Sequence, residues 1–550
     1  MSATFKSKVS TIAFYLIVFY AAVAQGGYFT VSLIILNLFF LIMLLRQKEI
    51  MLDFNAMAFL AVFAVMVLSS ILLSHSPYAA INELLKYLLC FTSYLFFANK
   101  TEDKAKFEKI FFHGFILIMA FGLLGMAGLS PIAHMVTEIG GRLQSFLQYA
   151  NTTALLMGIG VFYCTHLFIR DKKKHYIIPA VLFFAAIIFT NSRVSFIVFL
   201  LAYAAYLFRF VSWKIKGGLL AVAAILGTFL VITDSRLARI SIFEPTLVER
   251  YISYFDAVSM LSFRPLGIGV GNWQFESLFY QSAPYQVRYI HNFYLQIALD
   301  GGLIPLILML AVFIVTAIKM KRDTVYFYIG LFVLATAFWE IHFNFGLVII
   351  YFSFLLAITG GEALKKYKLP NTKLKYIAIV PIFLLSAFLM SEYNIQRGEA
   401  LEQSRNHQAA HAAYRRAHAL NPLNETIYFR YARIERNIGR AIDYLERAYA
   451  INPWNISVIT ALSEGHLFAG DFETSFYYAD RLFTIFPYSI PNQRFVRAVI
   501  DRGYEDGLID EGRHHALHID LEQRIARKNA EINPLFRFIN ENMEYYSHWD

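Results

Sequence analysis

Long apolar stretches alternate with short polar breaks over the first two-thirds of the chain, as in Thr11 to Ala24, Val31 to Leu45 and Ala56 to Leu73. A helix needs roughly 20 such residues to cross a hydrocarbon layer about 30 Å thick. The pattern predicts spans at approximately 9–25, 28–45, 54–73, 79–98, 108–129, 147–169, 176–190, 194–210, 217–233, 292–318, 324–341, 346–360 and 374–391. The fold class is therefore all-α: a polytopic transmembrane bundle of about 12–13 spans.

Two stretches break this rhythm. Residues 234–290 are too polar to span and are rich in tyrosine (Tyr251, Tyr254, Tyr280, Tyr285, Tyr289), which predicts a folded extracytoplasmic cap over the mouth of the bundle. Residues 392–550 have helix-forming composition. There the phrase from Ala412 to Pro422 repeats in Tyr444 to Pro453 and is echoed in Tyr478 to Pro487, placing prolines 31 and 34 residues apart. That period and the small-aromatic-proline ending resemble tetratricopeptide repeats, stacked helix pairs whose concave face binds other chains. The chain divides into a transmembrane part, 1–391, and an extracytoplasmic α-solenoid, 392–550.

Composition agrees: 58% of residues are apolar and 16% charged, which excludes an ordinary soluble protein. The formal net charge of +10 would suggest nucleic acid in a soluble chain. Here the basic residues of the first 375 positions fall mostly into seven clusters between apolar segments, from Lys6 and Lys8 through Lys172 to Lys174 to Lys373 and Lys375. By the positive-inside rule those loops are cytoplasmic, as is the N-terminus, and no nucleic-acid partner is implied. The first apolar run has no small-residue cleavage pattern after it, further spans follow at once, and it reads as the first retained helix. Cys90 and Cys164 both lie inside apolar segments, so a disulfide framework is not expected.

The alternate short loops hold only two basic residues, Arg142 and Arg193. Charge at the end of a span is costly unless paired or used. Arg142 precedes Asn151, Thr152 and Thr153; Arg193 stands in Asn191-Ser192-Arg193. The cap adds Arg250, which has Glu249 and Asp256 as possible partners, and Arg264, which leads into Pro265-Leu266-Gly267-Ile268-Gly269-Val270-Gly271. Those glycines lack the spacing of a dinucleotide fingerprint and read as a tight surface turn. His291 lies where the cap re-enters the membrane, and His342, Glu340 and His75 are expected on the same side. Imidazole titrates near neutrality and suits general-base work, while guanidinium forks pair bidentately with phosphate. Arginines and histidines gathered on one membrane face point to a lipid diphosphate as ligand. No metal-ligand spacing accompanies His291 or His342. In the tail, His514, His515 and His518 place two imidazoles on one helical turn with no third ligand in view, which reads as a solvated face.

Over roughly residues 120–360 the chain resembles the O-antigen ligase/polymerase superfamily (Wzy and WaaL types, with the protein O-oligosaccharyltransferases). The resemblance rests on Gly141-Arg142-Leu143 with Asn151, on Asn191-Ser192-Arg193, on Arg250 before Pro265-Leu266-Gly267, and above all on His291-Asn292-Phe293-Tyr294-Leu295 with Gly301-Gly302. It implies inverting, metal-independent transfer, without a cofactor, of a glycan from an undecaprenyl-diphosphate-linked donor to an acceptor hydroxyl on a glycan, lipid or protein, outside the cytoplasmic membrane. His291 would activate the acceptor, and Arg193 and Arg250 would hold the diphosphate as catalytic residues. Arg142, Arg264 and His342 would bind substrate. Where many relatives carry an acid after His342, this chain has Asn344.

Other readings are a lipid-linked sugar transporter or flippase, which predicts charges at mid-membrane and paired broken helices, a protein O-oligosaccharyltransferase, and a non-catalytic scaffold recruiting partners through the repeats. Glu83 and Lys86 are charges expected near a helix end, where they can pair with each other.

Overall fold

The computed structural model describes residues 3–47, 49–100, 103–129, 141–210, 245–320, 324–360 and 367–536. The span expected at 217–233 and residues 234–244 of the expected cap lie outside the described residues, as do Lys48, Lys214, Lys216, Lys321, Arg322, Lys365 and Lys366.

The predicted spans correspond to helices α1 (Ala3–Val23), α2 (Thr30–Leu45), α3 (Phe54–Leu73), α4 (Pro77–Ala98), α5 (Lys104–Met126), α6 (Ala150–Asp171), α7 (Ile177–Thr190) and α8 (Arg193–Phe210). The cap supplies α9 (Pro245–Phe263) and α10 (Trp273–Tyr280). The bundle resumes with α11 (Phe293–Gly301), α12 (Leu303–Lys319), α13 (Val325–Thr336) and α14 (Gly346–Gly360), followed by α15 (Asn371–Gln403). Among the described residues, α3, α5, α6, α8 and α15 are long and apolar enough to cross a membrane by themselves, and shorter apolar helices pack between them. Apolar side chains such as Ile71, Leu201, Ile318 and Phe383 stay exposed on the bundle's rim, the surface lipid would cover. Inside, Phe14 meets Phe97, Phe107 and Phe111 edge-on, pairs worth about 0.5–1.5 kcal/mol each beyond their burial.

The loops collect on two faces. On one, Met51 N donates to Asn99 Oδ1 at 2.7 Å, and β1 (Glu49–Leu52) pairs antiparallel with β2 (Tyr367–Pro370), Glu49 opposite Pro370. The described basic loops cluster there, with Lys368 bonded to Glu49 at 2.6 Å. On the other face Leu143 N donates to Phe189 O at 2.8 Å, and His75 N to Asn272 Oδ1 at 2.8 Å. The cap sits on this second face.

Three expectations change. The span expected at 292–318 is two helices, broken at Gly302, whose φ of +86° favours glycine. A Cβ there would lie 2.6 Å from the Leu266 carbonyl carbon, and one at Gly267 (φ +85°) would lie 2.6 Å from Gly302 N. The stretch from Gly267 to Gly271 is accordingly a buried wedge rather than a surface turn: Ile268 N donates to Leu299 O at 2.7 Å, and Leu303 N to Pro265 O at 3.1 Å. Next, α13 ends at Thr336, short of the expected 341, freeing residues 337–345 as a loop. The span expected at 374–391 lies within α15, which continues unbroken into the first repeat.

The tail continues with α16 (His407–Leu420), α17 (Glu425–Ile434), α18 (Ile438–Ile451), α19 (Ile456–Phe468), α20 (Phe472–Ile485), α21 (Ile490–Glu505) and α22 (Glu511–Glu531). Each of these begins behind an Asn, Asp or Ser whose side chain accepts a backbone N–H of its first turn: Asn406, Asn424, Asn437, Asn455, Asp471, Ser489 and Asp510. Pro422, Pro453 and Pro487 follow the ends of α16, α18 and α20, where a helix cannot continue. The repeats do not stand off from the rest. Ile252, Trp273, Tyr285 and Ile290 of the cap share one buried cluster with Leu445, Ile459, Phe486, Ile532 and Phe536 of the tail.

Candidate functional site

The residues around His291 are held from three directions. Asn292 caps α11, its Oδ1 accepting from Tyr294 N and Leu295 N at 3.0 Å each, which fixes His291 immediately outside the helix. Phe293 N donates to Ala337 O at 2.9 Å, tying this turn to the loop after α13. From the cap, the Tyr254 hydroxyl donates to the His291 carbonyl and, at 3.2 Å, to that of Phe338.

At the centre is Glu340, 1% exposed. Its Oε1 accepts from Arg250 Nη2 at 3.0 Å and from Asn151 Nδ2 at 2.8 Å, and its Oε2 accepts from Tyr149 at 2.7 Å. Arg142 extends the chain of contacts, donating from Nη2 to Asn151 Oδ1 at 2.9 Å and from Nε to the Thr190 carbonyl at 3.1 Å. Arg193 opens α8 just beyond Thr190, and Ser195 in the same turn donates to the Asn151 carbonyl at 3.4 Å. Below this layer His342 is wholly buried, its Nδ1 2.9 Å from Thr152 Oγ1.

The electrostatics follow from burial. Burial alone would raise the Glu340 carboxyl, but Arg250 beside it, with His342 and His291, holds it below the usual range. For His291, burial and then the Arg250 charge push the imidazole down to about 4, so the ring is neutral near pH 7. Its Nδ1 is buried and has no hydrogen-bond partner among the described residues, a costly state for a polar atom unless a ligand completes it.

A second polar group adjoins this one. Lys86 Nζ bonds Glu83 at 2.6 Å and Asn344 Oδ1 at 3.0 Å, so the expected Glu83 and Lys86 pair forms and also reaches Asn344. Tyr289 donates to Glu83 at 2.9 Å, and the Arg288 guanidinium, exposed at the mouth, lies 5.3 Å from the Tyr289 ring.

Of the residues singled out in the sequence, the structure gathers Arg142, Arg250, His291 and His342 around Glu340, with Arg193 at the first turn of the adjoining helix. Arg264 stands apart: it pairs with Glu276, which also takes His75 Nε2 at 2.9 Å, and His75 stacks on Trp454 of the tail at 5.0 Å. That group joins cap to repeats. Arg250 takes neither Glu249 nor Asp256, but the sequence-distant Glu340. From the sequence, Glu340 is placed only on a side of the membrane, and neither Tyr149 nor Arg288 is singled out. A lone acid in the apolar run from Ala335 to Phe343 was the available signal for Glu340.

The fold and site define a polytopic helical membrane protein with a basic, carboxylate-centred site beneath a cap and a helical-repeat tail. Residues 178–310, a stretch that includes Arg193, Arg250, Arg264 and His291, match the model of the family described as O-Antigen ligase. Residues 392–434 match the tetratricopeptide repeat. No curated protein matches the chain.

Proposed function

We propose that this protein transfers a glycan from an undecaprenyl-diphosphate-linked donor to an acceptor hydroxyl, by inversion and without a metal, as a surface-polysaccharide ligase or polymerase. The observation that carries this reading is the buried Nδ1 of His291, without a partner among the described residues, in a group that also holds the Arg250 and Glu340 pair. His291 takes the proton of the acceptor O–H as that oxygen bonds to the anomeric carbon. The bond from that carbon to the diphosphate oxygen breaks on the opposite face, and the diphosphate leaves with the electron pair. Arg250, Arg193 and Arg142 supply cationic donors for the charge that develops there, where water is scarce and such donors count most. The arriving diphosphate also offsets the Arg250 charge and so strengthens His291 as a base.

In this reading the cap face is extracytoplasmic, the N-terminus is cytoplasmic, and the repeats present the acceptor or a partner enzyme. Arg264, paired with Glu276 at the junction between cap and tail, serves to hold the cap. His342 positions Thr152 and the Glu340 loop from below.

A lipid-linked sugar transporter has an observation of its own, the broken α11 and α12 with Asp300 buried at the break, bonded to Tyr87 at 2.7 Å and Gln296 at 3.0 Å. Purified protein given the lipid-linked donor and a panel of acceptors in EDTA separates the two. Release of undecaprenyl diphosphate with extension of an acceptor supports transfer; movement of intact donor across a vesicle bilayer, with no cleavage, would replace it with transport.

A further inference from the structure

The geometry points to a divalent transition-metal site of the zinc class in the last repeat, built by Asp501, His514 and His518. His514 and His518 stand four residues apart on α22 and so share one face. The third ligand comes from the partner helix of the pair. Asp501 on α21 brings Oδ1 to 3.0 Å from His514 Nε2 and 2.8 Å from His518 Nε2, and the three ligand atoms all lie within 4.8 Å of one another.

Two imidazoles and one carboxylate are a donor set that zinc accepts, with water free to complete a tetrahedron. Each histidine exposes about a quarter of its side chain, so an ion has a path in. The surrounding cations do not oppose it. Arg513 is bonded to Glu473, Arg497 to Glu522 and Arg502 to Asp506, each within 2.8 Å. Tyr504 covers one side, its ring 4.8 Å from that of His514. His515, between the two ligands in sequence, is exposed and takes no part.

The plainer account is two imidazoles hydrogen-bonded to one carboxylate. It makes both Nε2 atoms donors crowded on a single oxygen of a carboxylate side chain that is half exposed to competing water. A cation reached by both nitrogens and the carboxylate uses the same convergence better.

The site also has a mechanical consequence. α22 ends in the segment that delivers Ile532 and Phe536 to the shared core with the cap, and Tyr488 donates to Lys528 O at 3.2 Å along the way. Clamping α22 to α21 holds that segment in place. The ion acts on the tail and has no part in bond-making near His291.

The test uses full-length, tag-free protein in detergent, stripped with EDTA and dialysed, then titrated with zinc alone and, for its spectrum, with cobalt(II). Wild type and His515→Ala are expected to bind one equivalent of zinc per chain at micromolar affinity or tighter, with the intense visible bands of four-coordinate cobalt. Asp501→Asn keeps a carbonyl oxygen that both imidazoles can bond, yet is a far poorer ligand. It and His518→Ala should each weaken zinc by more than the roughly 10–100-fold that a merely orienting partner is worth. Metal-free thermal unfolding of Asp501→Asn should match that of metal-free wild type, showing that the fold is intact. Absence of stoichiometric binding in wild type, or binding that Asp501→Asn and His518→Ala leave unchanged, would overturn the proposal.

Discussion

Arg250 of the cap helix donates to Glu340 at 3.0 Å, a bond across 90 residues that ties the cap to the loop after α13. Truncating one member strands the other as a buried charge, at a cost of about 3–5 kcal/mol. Arg250→Ala and Glu340→Ala should each lower the thermal unfolding temperature, and Arg250→Ala should cut transfer by at least about 100-fold, the effect of losing one preorganised donor to a developing anion. The double variant Arg250→Met with Glu340→Leu should recover most of the stability and none of the transfer. Recovery of both, seen by unfolding and initial rates, would make the pair purely structural.

Gly302→Ala tests the break between α11 and α12. The added Cβ meets Leu266 backbone at 2.6 Å in a left-handed conformation, so backbone strain of about 1–3 kcal/mol adds to overpacking of about 1–3 kcal/mol. A drop in unfolding temperature is expected, with Gly128→Ala as the matched control, since nothing among the described residues lies within 4 Å of its Cβ. Equal effects of the two substitutions would show that the wedge against Gly302 is not tight.

His291 sets a pH signature. Its folded pKa, about 4, lies below its ordinary 6.5, so between those values the unfolded chain binds a proton that the folded chain refuses. Its contribution to stability is therefore present above pH 6.5 and lost as the pH falls towards 4. In activity, the acid limb of kcat/KM, which reports the free enzyme, should lie near 4. The limb of kcat should lie higher, because bound diphosphate offsets Arg250. Coincident limbs near 6.5 in both profiles would contradict the buried, Arg250-facing placement of His291.

The tail and cap share a core, so loosening one should loosen the other. Ile459→Asp buries a carboxylate in that core, and hydrogen exchange of residues 245–290 should accelerate in the variant. Unchanged exchange there would show that the cap is stable without the repeats. For the same reason, deletion of residues 397–550 removes cap packing together with any partner surface. Substitutions on the concave face of the repeats therefore test recruitment more cleanly.

The membrane architecture was legible because apolar runs and basic loops are local signals: each predicted span that falls among the described residues contains a helix, and the described basic loops lie on one face. The break at Gly302 was hidden inside an apolar run. What dictates it is the backbone of Pro265 and Leu266, more than thirty residues earlier. Arg142, Arg193, Arg250 and His291 stood out as violations of the charge pattern or as parts of a motif. Glu340 did not, since its partners come from α6 and α9 and only the fold brings them together. Asp501 was missed for the same reason: it meets His514 and His518 across a turn between two helices.

The most direct measurement is glycan transfer from an undecaprenyl-diphosphate-linked donor by purified protein in EDTA, comparing wild type with His291→Ala and Arg193→Ala. The account predicts transfer by wild type in EDTA and its collapse in both variants, with donor still bound by His291→Ala. Transfer undiminished in His291→Ala, or a wild type that binds donor and never cleaves it across the acceptor panel, would contradict it.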